Sequence, residues 1–194
     1  MLIEIREKGR QFMGNFAVID TETNWDNRVM SVGIVVARED FSALDRRYYI
    51  LDPECQVGGM YDGVMELVRP DGVCSRKRAM KELRLWLLGL DVERLFAYNA
   101  RFDRNHLPEL GDFCWFDIMR IAAYRQYNPA IPADAPCCST GRLKSHYGVE
   151  PITRMLSGDR SYRETHNALL DARDELAIMR LLGISPADYQ CAAI

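Results

Sequence analysis

The sequence has no apolar run of about 20 residues, the length that a membrane-spanning helix needs. Its first residues, MLIEIREKGRQF, lack the apolar core of a secretory signal peptide. Its six cysteines lack CxxC spacing, and disulfides are rare in the cytosol. We therefore expect a soluble, cytoplasmic protein with reduced thiols.

The chain also lacks low-complexity tracts, internal repeats and a large excess of one charge. It contains 25 basic and 28 acidic residues, a formal net charge of −3, so its composition does not predict strong attraction to a polyanion. Apolar residues make up 48% of the chain, which is enough to form a core. Its 194 residues predict a single domain, with 1–14 as an N-terminal extension and 184–194 as a C-terminal tail.

The first third of the chain predicts strands followed by a loop. Short apolar or alternating segments over 16–20, 29–37 and 46–51 predict three strands in an antiparallel meander. Residues 52–74 are rich in glycine and proline, which predicts a long loop.

From Ser75, a predicted helix cap, helices and strands alternate. Apolar spacing predicts a final helix that ends at Gly183, and Ser161 with Glu164 fits a capping box that would start this helix early. Three prolines predict an irregular surface excursion over 128–138. The other elements are helices over 76–90, 101–107, 117–127 and 166–182, and strands over 94–98 and 113–116. This order predicts an α/β fold with a mixed five-stranded sheet and helices on both faces.

Two acids lie at the end of the first predicted strand. Because side chains at i and i+2 share one face of a strand, Asp20 and Glu22 should point to the same side. Neighbouring carboxylates raise each other's pKa or bind a hard divalent cation such as Mg²⁺ or Mn²⁺. Taken alone, the pair is more typical of a solvated strand end, because matches to so short a motif are common by chance.

Two further acidic positions follow later in the chain. Asp103 lies after the strand over 94–98, at a strand-to-helix corner of the kind where open sheets place their sites. Asn99 suits the turn there, and Phe102 is expected to anchor the corner in the core. His166 and Asp171 lie near the start of the last helix. Each acid alone is also explained as an exposed helix-start acid.

The three motifs together are far more specific. DTE from residue 20, NxxFD from Asn99 and HxAxxD from His166 resemble, in this order, the DEDD or DnaQ-like 3′-to-5′ exonuclease superfamily of proofreading and RNase T-like nucleases. A histidine five residues before the last aspartate is similar to the His subtype, DEDDh. The other subtype has tyrosine at the position of Asn167. The resemblance runs over about 16–182 and includes the segments WFDIMRIA and GRLKSHYGVE.

The resemblance implies a ribonuclease H-like fold and hydrolysis of phosphodiester bonds at nucleic-acid 3′ ends. It implies that four acids hold two divalent cations, Mg²⁺ or Mn²⁺, that neutralise charge on the entering and leaving oxygens. The histidine would be the general base, a task that suits its near-neutral pKa. The implied catalytic residues are His166, Asp20, Glu22, Asp103 and Asp171, of which the acids are the metal ligands. The implied substrate-binding residues are Thr21, Thr23, Asn24, Asn99 and Phe102.

The chain departs from the family pattern at two places. Tyr98 stands where many relatives have histidine, and Asn24 with Trp25 follows DTET where proofreading relatives often have glycine. Trp25 could stack on the terminal base or pack in the interior.

Two groups of basic residues bear on nucleic-acid binding. The first lies on one predicted helix and is typical of a solvated helix face: Arg76, Lys77, Arg78, Lys81 and Arg84. The second precedes the candidate base and is better placed to contact phosphate: Arg142, Lys144, Arg154, Arg160 and Arg163.

The leading hypothesis is a metal-dependent exonuclease that acts on the 3′ end of DNA or RNA, preferably single-stranded. A proofreading role would need a separate polymerase or other replication or repair partner. The segments 52–74 and 128–138 could shape substrate entry or carry a homodimer contact. One alternative is a nucleic-acid-binding or scaffold module of the same fold without turnover. Another is an unrelated metal phosphohydrolase that acts on a nucleotide monoester.

Overall fold

A computed structural model describes residues 14–194, so most of the predicted extension over 1–14 lies outside the described residues. Its centre is a six-stranded mixed sheet with the strand order β4-β3-β2-β1-β5-β6. The first three strands form the predicted antiparallel meander, and the others each run parallel to a neighbour. The strands are β1 (Phe16–Thr23), β2 (Val29–Ala37), β3 (Ala43–Leu51), β4 (Gly72–Cys74), β5 (Arg94–Ala97) and β6 (Cys114–Asp117).

The prediction of five strands is wrong, because the segment predicted as a loop contains β4. This strand has three residues and pairs with β3 from Tyr49 to Leu51. Three residues that begin with a glycine, two positions after Pro70, carry too little periodicity to predict a strand. The rest of the segment includes 3₁₀ turns over Glu54–Val57 and Asp62–Leu67.

Five α-helices complete the described fold. The helix predicted over 117–127 ends early, at Ala122, and the helix over Val149–Ser157 was not predicted. The segment is amphipathic and tolerates a proline in its first turn, but its nine residues give few apolar repeats from which to predict a helix. The helices are α1 (Arg76–Gly89), α2 (Arg101–His106), α3 (Met119–Ala122), α4 (Val149–Ser157) and α5 (Ala168–Leu182).

The last helix begins two residues later than predicted and does not use the capping box. Asn167 is its cap, and the side chain of Asn167 accepts a hydrogen bond from the Leu170 amide. Ser161 instead donates its hydroxyl to Asp159, in a turn before the helix. The predicted end is confirmed, since Gly183 adopts the left-handed conformation that terminates helices.

Helices cover both faces of the sheet, as predicted. In β1, Phe16 and Val18 join the core beneath α5, whereas Ala17 and Ile19 join the core beneath α1. This alternation is the two-residue period of a strand that is buried on both faces. At the end of the chain, the Ile194 amide donates to the Trp115 carbonyl, so residues after α5 return to the edge strand β6. No helix within residues 14–194 is both long and apolar enough to cross a membrane.

The start of α5 lies directly on the middle of β2. A β-carbon added to Gly33 would lie 2.2 Å from the Leu169 nitrogen and 2.3 Å from the Ala168 carbonyl carbon. Only glycine lets the two backbones approach this closely. Because Gly33 is paired with Asp20 across the β1–β2 ladder, this contact brings the first turn of α5 to the acidic end of β1.

Candidate metal centre

The two acids of the first motif lie within β1, which extends beyond the predicted end at residue 20 to Thr23. Asp20 and Glu22 are two residues apart and therefore point to the face that Phe16 and Val18 share with α5. The Glu22 side chain is buried. The predicted pairing of the two carboxylates on one face is consistent with this strand geometry.

Asp103 reaches the same region from the first turn of α2. Its side chain is only 2% exposed, and its Oδ1 accepts a hydrogen bond from the Thr21 hydroxyl at 2.7 Å. Asn99 at the preceding corner is in the left-handed conformation, with φ of 62°. The prediction that Phe102 anchors this corner in the core is wrong, because its side chain is 38% exposed and lies against the His106 ring. An exposed ring beside the acids remains compatible with substrate contact.

The third motif completes a compact group of ligand atoms. One ligand atom from each of Glu22, His166 and Asp171 lies within 4.8 Å of the other two. Asp171 is in the first turn of α5 and is 2% exposed. His166 precedes the helix with a positive φ of 59°, and its ring stacks on Tyr61 at 3.9 Å between centroids. Strained backbone of this kind in a non-glycine residue often marks a functional site.

Two buried carboxylate oxygens of the motif acids have no hydrogen-bond partner among the described residues. They are Oδ2 of Asp20 and Oδ1 of Asp171. Leaving such an oxygen unsatisfied costs about 1 to 3 kcal/mol, and more when it is charged. Hard divalent cations prefer carboxylate oxygens, so the donor set fits Mg²⁺ or Mn²⁺.

The pKa values of all four motif acids are raised. Burial raises the pKa of Asp20 well above its usual range, and the nearby carboxylates of Glu175, Asp103, Glu22 and Asp171 add to this effect. Because the carboxylates of Asp103, Glu22 and Asp171 each contribute to the raised pKa of Asp20 after burial, the four predicted acids lie in one region of the fold.

The individual pKa values follow from burial and from the nearest charges. Burial and then Asp171 raise the pKa of Glu22 to about 8. Burial raises the pKa of Asp103 to about 7, against the opposing hydrogen bond from Thr21. Burial and then Glu164 raise the pKa of Asp171 to about 7. A divalent cation would offset this repulsion and favour the ionised carboxylates.

A fifth carboxylate, Glu175, lies near the four motif acids and was not predicted from the sequence. Glu175 is 2% exposed, and its Oε2 accepts a hydrogen bond from the Tyr98 amide at 3.0 Å. Burial and then Asp103 raise its pKa well above the usual range. Its position four residues after Asp171 places both acids on one face of α5, and this spacing could have revealed it.

Two loop residues that border the centre were also missed. Tyr61, which stacks on His166, comes from the segment predicted as a loop, and Glu164 raises the pKa of both Glu22 and Asp171. Nothing in their local sequence indicates this, because loop paths depend on tertiary contacts.

The residues after the first motif form a turn. Asn24 is buried: its Oδ1 accepts hydrogen bonds from the amides of Asp26 and Arg28, and its side-chain nitrogen donates to the Glu54 carbonyl. The Asn24 amide therefore organises this turn. Trp25 is 66% exposed, so the interpretation that it packs in the interior is wrong.

The basic cluster on α1 is largely neutralised by ion pairs. Arg76 pairs with Glu109, Arg78 with Glu82 and Arg84 with Asp112. These pairs agree with the predicted solvated helix face. In the second cluster, Arg154 pairs with Glu150 and donates to the Tyr162 carbonyl.

Comparison of the sequence with protein-family models and with curated proteins found no match. Solved structures do match the fold. E. coli exonuclease I in complex with a dT13 oligonucleotide gives a TM-score of 0.60 at 14% sequence identity, over 89% of this chain and 42% of that chain. The moderately thermophilic exonuclease I from Methylocaldum szegediense gives 0.59 at 15% identity, over 88% and 40%. A zinc-bound E. coli exonuclease I complex with single-stranded DNA gives 0.58 at 13% identity, over 88% and 40%.

These matches confirm the predicted fold class, a ribonuclease H-like mixed sheet with helices on both faces, with six strands instead of five. The chain spans about two fifths of the length of the exonuclease I structures that it matches.

Proposed function

We propose that the protein is a metal-dependent exonuclease of the DEDDh type, which removes nucleotides from the 3′ end of a single-stranded nucleic acid. The observation that carries this proposal is the convergence of Glu22, His166 and Asp171 within 4.8 Å, near the half-buried Asp20 and the buried Asp103. The residues come from three separate parts of the chain and match the three motifs. The likeness to exonuclease I, crystallised with single-stranded DNA, supports a nucleic-acid substrate.

In this proposal the four motif acids hold two divalent cations, Mg²⁺ or Mn²⁺. Asp20, Glu22 and Asp171 would hold one cation, and Asp103 with Asp20 would hold the other. When bound, the cations neutralise charge on the phosphodiester and favour ionised water as the nucleophile. Thr21 fixes the rotamer of Asp103 through the hydrogen bond at 2.7 Å. Glu175 lies behind these acids and holds the Tyr98 amide at the end of β5.

His166 accepts the proton of the attacking water on a ring nitrogen. Burial lowers the pKa of His166 below its ordinary value, while Glu150 opposes this effect. The ring is therefore neutral, and able to accept a proton, at physiological pH. Stacking on Tyr61 restricts the rotation of the imidazole, which keeps its ring nitrogens directed at the acidic group.

Exposed aromatic side chains close to the motif acids in the sequence suit the terminal nucleotide. Trp25 and Phe102 both present ring surface to solvent, and every base can stack on such a ring. Thr23 and Asn99 flank the acids along the chain and are proposed to contact the same nucleotide. Thr21 and Asn24, also predicted to bind substrate, act in this proposal through Asp103 and through the turn that carries Trp25.

The proposal is tested with DNA and RNA strands labelled at either end and incubated with Mn²⁺ or with EDTA. We expect the 3′ label to leave as a mononucleotide with Mn²⁺ alone, and Asp103→Asn to abolish its release. Binding of the strands without any cleavage by the wild-type protein would favour the non-catalytic scaffold. Hydrolysis of nucleotide monoesters alone would favour the phosphohydrolase alternative.

A further inference from the structure

A cleft of about 550 Å³ lies between α5 and the hairpin that joins β2 to β3. One wall consists of Val35 and residues 41–46, and the other is formed by α5. In the strand ladders, the cleft residue Arg46 of β3 lies opposite Val35 of β2. Glu22 of β1, at the metal centre, lies opposite Ser31, near the other end of β2. The cleft is therefore at the opposite end of β2 from the candidate metal centre.

Helix α5 connects the two places. It carries Asp171 at the metal centre, then Arg173 and Arg180, which both line the cleft. With a rise of about 1.5 Å per residue, Arg180 lies about 13 Å along the helix axis from Asp171, and the two arginines are separated by about 10 Å. They are seven residues apart and so project from the same side of the helix.

The cleft has an excess of positive charge. Arg46 shares its charge with Asp71 at 3.4 Å. Arg173 and Arg180 are exposed and form no ion pair or hydrogen bond among the described residues, although the charge of Arg173 acts on the carboxylate of the adjacent Asp174. The arginines of α1, by contrast, each have an acidic partner.

Neighbouring acids have other partners. The Asp45 carboxylate accepts a hydrogen bond from the Trp86 indole of α1, on the opposite face of the sheet. Asp174, next to Arg173, accepts a hydrogen bond from the Tyr162 hydroxyl.

Apolar side chains lie between these cations. Phe41 and Leu44 form part of the hairpin wall, and Leu44 is 36% exposed. The Phe41 ring is partly buried and packs edge-on against Phe16, so the guanidinium groups, which suit phosphate, carry the affinity of this cleft for a single strand.

We propose that this cleft is a second binding site for single-stranded nucleic acid, which holds phosphates upstream of the 3′ end at the metal centre. Arg173 contacts the phosphate nearer the centre, and Arg180 contacts one farther along the strand. The direction of the strand in this cleft rests on the proposed function, which places the 3′ end at the metal centre. It makes affinity depend on strand length, because a dinucleotide at the metal centre does not reach the cleft.

The test compares the wild type with the double variant Arg173→Gln/Arg180→Gln. Anisotropy of 5′-labelled strands of graded length is measured in EDTA over a range of salt concentrations, so that no cleavage occurs. The matched control is Lys77→Gln/Lys81→Gln, which removes two exposed charges from α1 on the other face. Affinity falls with salt, and each contact with a single strand adds about 0.7 to the steepness of that fall on logarithmic axes. Loss of two phosphate contacts should therefore make the fall less steep by about 1.4.

We expect this reduction for long strands with the α5 variant and an unchanged slope with the control. Hydrolysis of a dinucleotide with Mn²⁺ should be equal in all three proteins. An unchanged slope in the α5 variant, an equal loss in the control, or an equal loss of dinucleotide hydrolysis would each overturn the second site. Failure of the wild type to hydrolyse any strand would instead contradict the proposed function, while the salt slope in EDTA would still decide whether the cleft binds phosphate.

Discussion

Gly33 of β2 pairs with Asp20 of β1, and the same glycine is the point where the backbone of α5 touches the sheet. One residue therefore sets the distance between the acid of the first motif and the helix that carries the acid of the third. The position of Asp171 relative to Asp20 depends on the absence of a side chain at residue 33.

Replacing this glycine should separate the two halves of the site. Gly33→Ala places a methyl group within 2.4 Å of three backbone atoms of Ala168 and Leu169, so α5 must shift. Overpacking of this kind costs about 1 to 3 kcal/mol or more, and we expect Mn²⁺ affinity and nuclease activity to be lost together. Thermal unfolding and calorimetric titration with Mn²⁺ measure both effects. Gly89→Ala, where an added methyl group meets no atom within 4 Å, is the control and should be nearly neutral.

The hydrogen bond from Thr21 should matter for metal binding. Thr21→Val keeps the side-chain shape but removes the donor that lowers the pKa of Asp103. Residues that orient a metal ligand typically change affinity by about 10-fold to 100-fold, and we expect a loss in this range for Mn²⁺. Thr21→Ser restores the hydroxyl and should recover most of the affinity. Equal affinities in all three proteins would show that Thr21 does not orient a ligand.

Loss of the imidazole should affect rate more than metal binding. We expect His166→Ala to reduce kcat by about 10²-fold to 10⁴-fold, the usual contribution of a general base, while Mn²⁺ still raises Tm. Because burial lowers the pKa of His166, wild-type activity should rise with pH and reach its plateau below the range of an ordinary histidine. A fully active His166→Ala protein would rule out the base assignment.

The metal-free protein should lose stability as pH rises. Glu22, Asp103 and Asp171 have pKa values of about 8, 7 and 7 in the folded state, above the values of about 4 in an unfolded chain. The folded state therefore binds more protons than the unfolded state, and the free energy of unfolding falls between about pH 4 and pH 8.

Urea unfolding in EDTA at pH 5 and pH 8 measures this change, and the free energy of unfolding should be lower at pH 8. Asp103→Asn, which removes one of the carboxylates with a raised pKa, should show a smaller difference between the two pH values. Mn²⁺ should restore stability at pH 8, because it binds the ionised carboxylates of the folded state. Stability that increased with pH in EDTA would mean that these acids are not crowded together.

Most elements could be predicted from the sequence, including the short strands β5 and β6, whereas β4 and α4 could not. The β-branched run of β2 and the apolar stripe of α5 contain enough residues for their periods to show. β4 and α4 are short and exist because of their partners in the fold, such as the ladder from Tyr49 to Leu51.

The candidate site divides in the same way. The motif acids and His166 could be predicted because chemistry restricts those positions to particular residue types. Glu175 has a helical spacing that could have revealed it, whereas Tyr61 reaches His166 only through the path of a loop. The arginines of the cleft escaped notice because a cation's significance depends on whether an acid neutralises it, which requires the tertiary structure.

The central claim is that the acids of the three motifs bind divalent cations together. Anomalous scattering from a crystal grown with Mn²⁺ tests this most directly. We expect two manganese peaks, one bounded by Asp20, Glu22 and Asp171 and the other by Asp20 and Asp103. Both peaks should be lost in Asp171→Asn. Manganese bound only elsewhere on the protein, with these four carboxylates unliganded, would contradict the account.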